Sequence, residues 1–191
     1  VESTGTSTAK DAGLSAIKDG QGTASNPITP IYSIAEIGTV TVTSAKGDAF
    51  FTNDGNAFSA IADIAADVAK LGNVVVTGAD QAETESIIVR NSAGTAEMAN
   101  LTITAGTGAA TLGAITADTV GTITAKSTSN GVVVNNMTFA DTTGVSVVLQ
   151  ASTSISSTAN TATKIQNTKG DLSLTATAGT TFGDAAVYTV T

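Results

Sequence analysis

The chain of 191 residues has no cysteine, no histidine and no tryptophan, and it has only two prolines. Without cysteine and histidine, Ser–His and Cys–His nucleophile pairs are excluded, and so are thiolate and imidazole metal sites. The lack of cysteine also excludes a disulfide framework. Charged residues are 13% of the chain, against about 25% in ordinary globular domains. The polar surface therefore has to consist largely of threonine, serine and asparagine.

Basic residues are also scarce, since eight lysines and arginines face sixteen acids and give a net charge of −8. Eight scattered cations cannot form the basic stripe that a phosphate backbone requires, so we expect no nucleic-acid partner. Anionic lipid is disfavoured for the same reason. The sequence has no apolar run close to the roughly 18 residues that a membrane span needs, so we expect no membrane span.

What the chain does have, from about residue 72 onward, is a series of short runs in which apolar residues alternate with threonine or serine. Examples are residues 101–105 (LTITA), 121–125 (GTITA) and 172–176 (LSLTA). β-Branched and small residues at a period of two are typical of strands with one buried and one solvated face. Glycine, asparagine and aspartate separate the runs, as expected for turns. The sequence therefore predicts an all-β fold.

Two architectures fit these strands. Comparable runs near residues 101 and 121 are about 20 residues apart, which is the length of one coil of a solenoid. The short breaks and the scarcity of aromatic residues favour a parallel β-solenoid, in which successive coils bury a slim aliphatic column. An antiparallel β-sandwich or jelly roll is the alternative, because alternation within a strand does not reveal the direction of its neighbours.

The first part of the chain differs from the rest. Residues 1–30 are rich in Ser, Thr, Gly and Ala, which indicates either a flexible tail or an arm that is ordered on assembly. Residues 31–191 are expected to form a single β-rich domain. Within it, residues 56–71 are predicted to be an amphipathic helix that covers the sheets, because Phe58, Ile61, Ile64, Val68 and Leu71 follow helical spacing.

Parts of the chain resemble known repetitive surface proteins. Residues 101–116 (LTITAGTGAATLGAIT) look like the repeats of large secreted bacterial surface proteins, and residues 170–179 (GDLSLTATAG) are similar to the repeat unit of filamentous-haemagglutinin-like adhesins. The composition also resembles that of S-layer proteins. This resemblance implies a β-solenoid or β-sandwich, secretion, and self-assembly or adhesion at a cell surface. The calcium nonapeptide G-G-x-G-x-D that many such proteins carry is absent.

Few residues are candidates for binding. Asp48 and Asp54 lie in the oxygen-rich segment 48–56 and are weak calcium candidates, although the same residues are typical of a turn. We expect no catalytic residue and no cofactor, with calcium as the one possible ligand. Asn100 and Asn136 begin N-glycosylation sequons, and ordinary strand-edge asparagines are the alternative interpretation.

An enzyme is the weakest of the functions that we consider. The candidate carboxylates cluster in sequence, and glycoside cleavage uses two carboxylates about 5–9 Å apart. They are Asp48, Asp54, Asp80, Glu83 and Glu85. Aromatic platforms for a sugar are scarce, so a solvated acidic surface explains these residues better. A solenoid enzyme acting on polysaccharides stays an alternative, but our prediction is that the chain is not an enzyme.

The predicted function is a structural subunit of an extracellular, self-assembling surface polymer such as a filament, sheath or S-layer-like lattice. Unpaired strand edges template pairing with another chain, and residues 101–191 contain only three lysines and no proline to block such edges. The main partner is a second copy of the chain. Residues 1–30 or the terminal residues 187–191 are candidates for an inserted strand. The alternative is a monomeric adhesin or carbohydrate-binding β module that binds cell-surface glycans.

Overall fold

The computed structural model describes residues 2–5, 12–15, 33–52, 67–84, 86–89, 91, 94–157, 163–180 and 187–189, and these residues form an all-β fold. Every regular element among them is a strand. In chain order the strands are β1 (Glu2–Gly5), β2 (Ala12–Ser15), β3 (Ser33–Ile37), β4 (Val40–Ser44), β5 (Ala49–Thr52), β6 (Asp67–Leu71), β7 (Val74–Gly78), β8 (Ala82–Thr84), β9 (Ile87–Ile88), β10 (Glu97–Met98), β11 (Leu101–Ala105), β12 (Ala110–Leu112), β13 (Ile115–Ala117), β14 (Thr119–Val120), β15 (Thr122–Ser127), β16 (Val132–Val134), β17 (Met137–Phe139), β18 (Val145–Ser157), β19 (Lys164–Asn167), β20 (Leu172–Thr180) and β21 (Val187–Thr189).

The strands form three sheets, and every pairing in the described part of the chain is parallel. The largest sheet has twelve strands, and the other two have four and five. Strands that are neighbours in a sheet are not consecutive in the chain: β7, for example, lies between β4 and β11. A parallel pair needs a crossover connection of about a dozen residues or more. Here the connections contain the strands of the other sheets.

The register of the pairs aligns one residue from each of six strands in a row. Val40 is opposite Val74, Val74 is opposite Leu101, and Leu101 is opposite Ile123. The row continues through Val147 to Leu174. The step from Leu101 to Ile123 is 22 residues, close to the interval of about 20 that the sequence predicts, whereas the step from Val40 to Val74 is 34 residues. The period is therefore irregular.

The core consists of such rows, because the period-two pattern puts every second side chain on the same side of the sheet. In the row just described, Val40, Val74, Leu101 and Ile123 have no exposed surface. A second fully buried row, two residues further along each strand, contains Val42, Val76, Ile103, Ala125 and Leu149. The residues between these positions are half-buried or exposed. Small and β-branched side chains thus fill a thin core.

The twelve-stranded sheet curls strongly, and the long strand β18 accounts for part of this. Of its thirteen residues, the six from Ser146 to Ala151 pair with β15, while Ile155, Ser156 and Ser157 pair with β16. The pairing of β18 with β20 shifts its register between Gln150 and Ser154. An irregularity of this kind bends a strand and increases its twist. One strand therefore continues from one side of the curled sheet to the other.

The predicted helix at residues 56–71 is wrong where it can be checked. Residues 67–71 form the strand β6, which pairs with β3 and β10. The remaining residues of that prediction, 56–66, lie outside the described part of the chain, which contains no helix. Apolar residues three apart, such as Val68 and Leu71, satisfy a helical pattern in so short a segment. The segment is extended because β3 and β10, on either side of it, supply its backbone hydrogen bonds.

The prediction of an arm at residues 1–30 falls mostly outside the described residues. Two short pieces of it are strands: β1 lies beside β4, and β2 lies beside β5. The terminal segment 187–191 is described for Val187–Thr189, which pairs with β19 of the same chain. The antiparallel sandwich is not found among the described pairings.

Candidate functional site

β20 is one of the edge strands of the described sheets, together with β1 and β2 of the same sheet and with the outer strands of the other two, β3, β14, β9 and β21. One edge of β20 pairs with β18, and none of the described strands pairs with its other edge. Backbone N–H and C=O groups along such an edge are available to a strand from another chain. We call this the β20 edge.

The apolar side chains of β20 reflect this one-sided pairing. Leu172 is only 4% exposed, whereas Leu174 and Ala176 are partly exposed. Their partners in register, Val147 and Leu149, have no exposed surface. Interior positions of a row are covered by strands on both sides, whereas the last position is covered on one side only. Burying the rest of Leu174 under a further strand would release free energy, because removing apolar surface from water is favourable.

Residues 172–180 (LSLTATAGT) carry no charge and no proline, which are the usual devices that prevent edge strands from pairing. The nearest charges, Lys169 and Asp171, are exposed in the turn before the strand. The β20 edge is thus a neutral strand edge flanked by half-buried apolar side chains.

A second candidate lies around Asp141, whose side chain is 3% exposed. One carboxylate oxygen, Oδ2, accepts a hydrogen bond from the backbone N–H of Val120 at 3.1 Å. The other, Oδ1, accepts from Thr143 twice, from its backbone N–H at 2.7 Å and from its hydroxyl at 2.6 Å. Burial acts to raise the pKa of Asp141, but these hydrogen bonds, with a further one from the backbone of Gly144, outweigh it and lower the pKa below its ordinary value.

Asn167 fixes the backbone of Asp141 in place. Its Oδ1 accepts from the N–H of Asp141 at 2.9 Å, and its Nδ2 donates to the Asp141 carbonyl at 2.7 Å and to the Asp171 carbonyl at 3.0 Å. Gly144, with φ of +99°, allows the turn that follows. The buried polar groups at this corner are therefore hydrogen-bonded, which is what a structural role requires.

A cavity of about 250 Å³ lies beside Asp141, at the β14 side of the four-stranded sheet. Its polar lining comes from Lys70, Glu97, Thr119 and Asp141. Lys70 and Glu97 are opposite each other in register on β6 and β10. Because the Asp141 carboxylate already accepts hydrogen bonds on both oxygens, it is poorly suited to act as a base or to hold a cation. The geometry supports a structural corner better than a catalytic site.

The calcium candidates are not brought together in the described residues. Asp48 is partly buried, and its Oδ1 accepts from the backbone N–H of Gln81 at 3.0 Å, whereas Asp54 lies outside the described part. The described residues contain no group of three or more Asp, Glu, His or Cys side chains that could hold a metal ion. Asp48 therefore links the segment before β5 to the segment before β8.

Of the other carboxylates considered for glycoside cleavage, Asp80 also accepts a hydrogen bond from a distant turn. Asp80 Oδ1 accepts from the hydroxyl of Thr107 at 2.8 Å, which links the turn after β7 to the turn after β11. Glu83 is exposed on β8, and Glu85 lies outside the described residues.

Both sequon asparagines are exposed and directly precede a strand, Asn100 before β11 and Asn136 before β17. Asn100 Oδ1 accepts from the N–H of Thr122 at 2.8 Å, and its Nδ2 donates to Asn73 Oδ1 at 3.2 Å. Asn136 Oδ1 accepts from the N–H of Lys164 at 2.8 Å. Each side chain therefore links successive strands, and glycosylation stays a prediction.

Two features were not predicted from the sequence: the corner built by Asp141 and Asn167, and Asp118, whose Oδ2 accepts from the N–H of Ala96 at 2.9 Å. A signal was present: an Asp or Asn closely follows or ends the strands β13, β17 and β19, at residues 118, 141 and 167. Such side chains accept hydrogen bonds from nearby backbone N–H groups.

Comparisons with protein-family models, with curated proteins and with solved structures found no match to this chain. Among the described residues there is no helix with the length and apolarity needed to cross a membrane.

Proposed function

We propose that this chain is a parallel β-solenoid that serves as a structural subunit of an extracellular, self-assembling surface polymer, and that subunits join through the β20 edge. The observation that carries the proposal is the β20 edge: an uncharged strand that pairs with β18 alone among the described strands, and whose own Leu174 and Ala176 are half-buried. The parallel register, with rows that pass through six strands, is the arrangement expected of a solenoid.

The geometry of the contact follows from the stack. A further strand laid along the β20 edge would continue each row by one residue and cover the interior positions of β20. A contact between one end of a subunit and the other end of the next does not close on itself, so it produces an open polymer. The chain has no catalytic role in this proposal, and a second copy of the chain is its main partner.

The test is sedimentation of the purified chain over a range of concentrations, with negative-stain electron micrographs of the pellet. The expected result is a filament or lattice above a critical concentration. Leu174→Lys places a charge at the interior edge position and should prevent polymer formation, since inward-pointing charges block edge strands. Thr116→Lys is the matched control, because Thr116 is exposed on β13 in the five-stranded sheet.

A monomer at every concentration would contradict the proposal and favour the monomeric adhesin or carbohydrate-binding module, which glycan binding by that monomer would support. Equal polymerisation by the Leu174→Lys variant, with its circular dichroism spectrum unchanged, would show that subunits join elsewhere. The extracellular location is tested by protease treatment of intact source cells, which should remove the protein without lysis.

A further inference from the structure

The outward side chains of six neighbouring strands form a regular array that consists mostly of threonine. Two rows of outward positions cross β4, β7, β11, β15, β18 and β20, and eight of their twelve residues are threonine. The first row is Thr41, Val75, Thr102, Thr124, Val148 and Thr175. The second row is Thr43, Thr77, Thr104, Lys126, Gln150 and Thr177. We call these twelve positions the threonine array. On β1 the first row continues to Glu2, so the array is taken to begin at β4.

The threonine array is periodic in two directions. Neighbouring strands are about 4.8 Å apart, and outward residues of one strand, which are two residues apart, are separated by about 6.6 Å. The register is continuous over both rows, because the shift in β18 begins only after Gln150. By contrast, a single outward row crosses all strands of the five-stranded sheet, from Ile88 to Thr189. The outward row of the four-stranded sheet carries the charges of Glu36, Lys70 and Glu97.

The side chains of the array are held in fixed positions. Ten of the twelve residues are threonine or valine, whose branching at Cβ restricts the χ1 angle. Beside the array, at the start of the strands, Asn100 Nδ2 donates to Asn73 Oδ1 at 3.2 Å, and Asn100 Oδ1 accepts from the N–H of Thr122 at 2.8 Å. Side-chain ladders of this kind help to keep a sheet flat. The array is therefore suited to a rigid, periodic partner.

The two repeats of the array are close to those of ice. In ice every water oxygen has four tetrahedral neighbours at an O–H···O distance of about 2.75 Å. Tetrahedral geometry then sets the repeats of hexagonal ice at about 4.5 Å within a layer of oxygens and about 7.3 Å across the layers, and one crystal face contains both. The array differs by about 0.3 Å per strand and by about 0.7 Å between its rows. From β4 to β20 the difference sums to about 1.5 Å, or about a third of one repeat, so no strand falls between two lattice positions.

The chemistry of the array suits ordered water better than other periodic surfaces. A threonine hydroxyl both donates and accepts hydrogen bonds, as a water molecule does, and the array residues are half-buried or exposed. The chain has a net charge of −8, yet the array carries no carboxylate and a single cation, Lys126. A mineral surface consists of ions and would need an array of charges, whereas ice is neutral. No aromatic residue stands at the twelve positions to stack on the sugars of a polysaccharide surface.

We infer that the threonine array binds the surface of ice, because its hydroxyl groups and the water ordered between them continue the oxygen lattice of the crystal. The inference goes beyond the proposed function and does not depend on polymer formation, since the whole array lies within one subunit. Lys126 is the one residue of the array that opposes binding, because an ammonium group is strongly hydrated and orients water around its own charge.

The test measures two properties of each purified protein. The first is thermal hysteresis, the gap between the melting and freezing temperatures of a seeded ice crystal, and the second is the share of protein taken up by slowly grown ice. The unmodified chain should show hysteresis and enter the ice. Thr104→Lys places a second charge beside Lys126 and should lose both properties, whereas Lys126→Thr removes the charge and should increase both. Thr116→Lys, the same change in the five-stranded sheet, is the matched control and should behave as the unmodified chain.

The outcomes are distinct from those that test the proposed function, which is measured by sedimentation. If the unmodified chain and the Lys126→Thr variant both show no hysteresis and are excluded from ice, the inference is overturned and the proposed function stands. Equal hysteresis in the Thr104→Lys and Thr116→Lys variants would also overturn it, because ice would then bind another surface. If Thr104→Lys failed to fold by circular dichroism, Lys126→Thr would decide: increased hysteresis would support the inference, and unchanged hysteresis would overturn it.

Discussion

Leu174 and Val147 occupy neighbouring positions in the same row but should respond differently when each is shortened to alanine. Val147 is covered by strands on both sides and has no exposed surface. Leu174 lies on β20, which ends this row, and is half-buried. The Val147→Ala change should therefore act on folding. The Leu174→Ala change should act on subunit addition as well as on folding.

The magnitude for Leu174 follows from its burial. Fully burying a leucine side chain contributes about 1.5–3 kcal/mol, and a half-buried leucine has already gained part of this in the subunit. Because most of the Leu174 surface is already buried in the subunit, the remainder that a second subunit would add is no more than about 1 kcal/mol. A difference of about 1.4 kcal/mol is tenfold in an equilibrium constant, so the Leu174→Ala variant should raise the critical concentration for polymerisation between about twofold and fivefold.

The assay is the concentration of protein left in the supernatant after high-speed sedimentation, measured for both variants and for the unmodified chain. Val147→Ala serves as the matched control: it should lower the melting temperature, because shortening a buried side chain leaves a cavity, and should leave the critical concentration unchanged at a temperature where it is folded. The reasoning is refuted if Leu174→Ala leaves the critical concentration within twofold of the original, or if Val147→Ala raises it as much.

Three further predictions concern the stability of the stack. Asp141→Asn should destabilise the fold at pH 7 by about 1–3 kcal/mol, because the backbone N–H of Val120 and the N–H and hydroxyl of Thr143 lose a charged acceptor. Because folding lowers the pKa of Asp141, the ionised carboxylate contributes its full share of folding stability above the ordinary pKa of 3.8, and this share is lost as the pH falls through the pKa of the folded state. Melting temperatures of the two proteins, measured from pH 7 downward, should therefore converge. A difference that stays constant would contradict this. Gly106→Ala should lower the melting temperature, since a Cβ at Gly106 would overlap the carbonyl oxygen of Ala79, while Gly38→Ala, where no atom lies within 4 Å, should not; equal melting temperatures would refute the argument. Asn100→Ala should cost about 1 kcal/mol in a denaturant titration because the N–H of Thr122 loses its acceptor, and Thr107→Ala, which removes only an exposed hydroxyl bond to Asp80, should cost less.

The interior rows could be predicted from the sequence to a large extent. In residues 101–105 the alternation itself marks Leu101, Ile103 and Ala105 as the buried side, and all three have no exposed surface. The same pattern marks Thr102 and Thr104 as outward positions, and both are half-buried. Side-chain direction along a strand alternates strictly, so local sequence decides which face is buried.

The strand β6 shows where local sequence is insufficient. Residues 67–71 (DVAKL) fit a helical and an extended pattern about equally, and the helix predicted from the sequence began at residue 56. Their conformation depends on β3 and β10, which lie on either side of β6 and are far from it in sequence. Short apolar segments are ambiguous by periodicity alone, and pairing with distant strands decides between the two.

The candidate site, too, could be predicted from the sequence only in part. The absence of charge and proline in β20 is visible in residues 172–180, but nothing in those residues says that only one of the described strands pairs with it. The corner at Asp141 depends on Val120 and Asn167, which are 21 and 26 residues away. Only the stacking of strands brings such donors and acceptors within hydrogen-bond distance.

By itself, then, the sequence determined that this protein is built of strands with one apolar side and that imidazole, thiolate and disulfide chemistry are closed to it. The tertiary structure alone decided that neighbouring strands run parallel, which residues share a row and which strands lie at the edges of the described sheets. The physical reason is that side-chain alternation is a property of a single strand, whereas direction, register and edges belong to pairs of strands, whose backbone hydrogen bonds join residues distant in the chain.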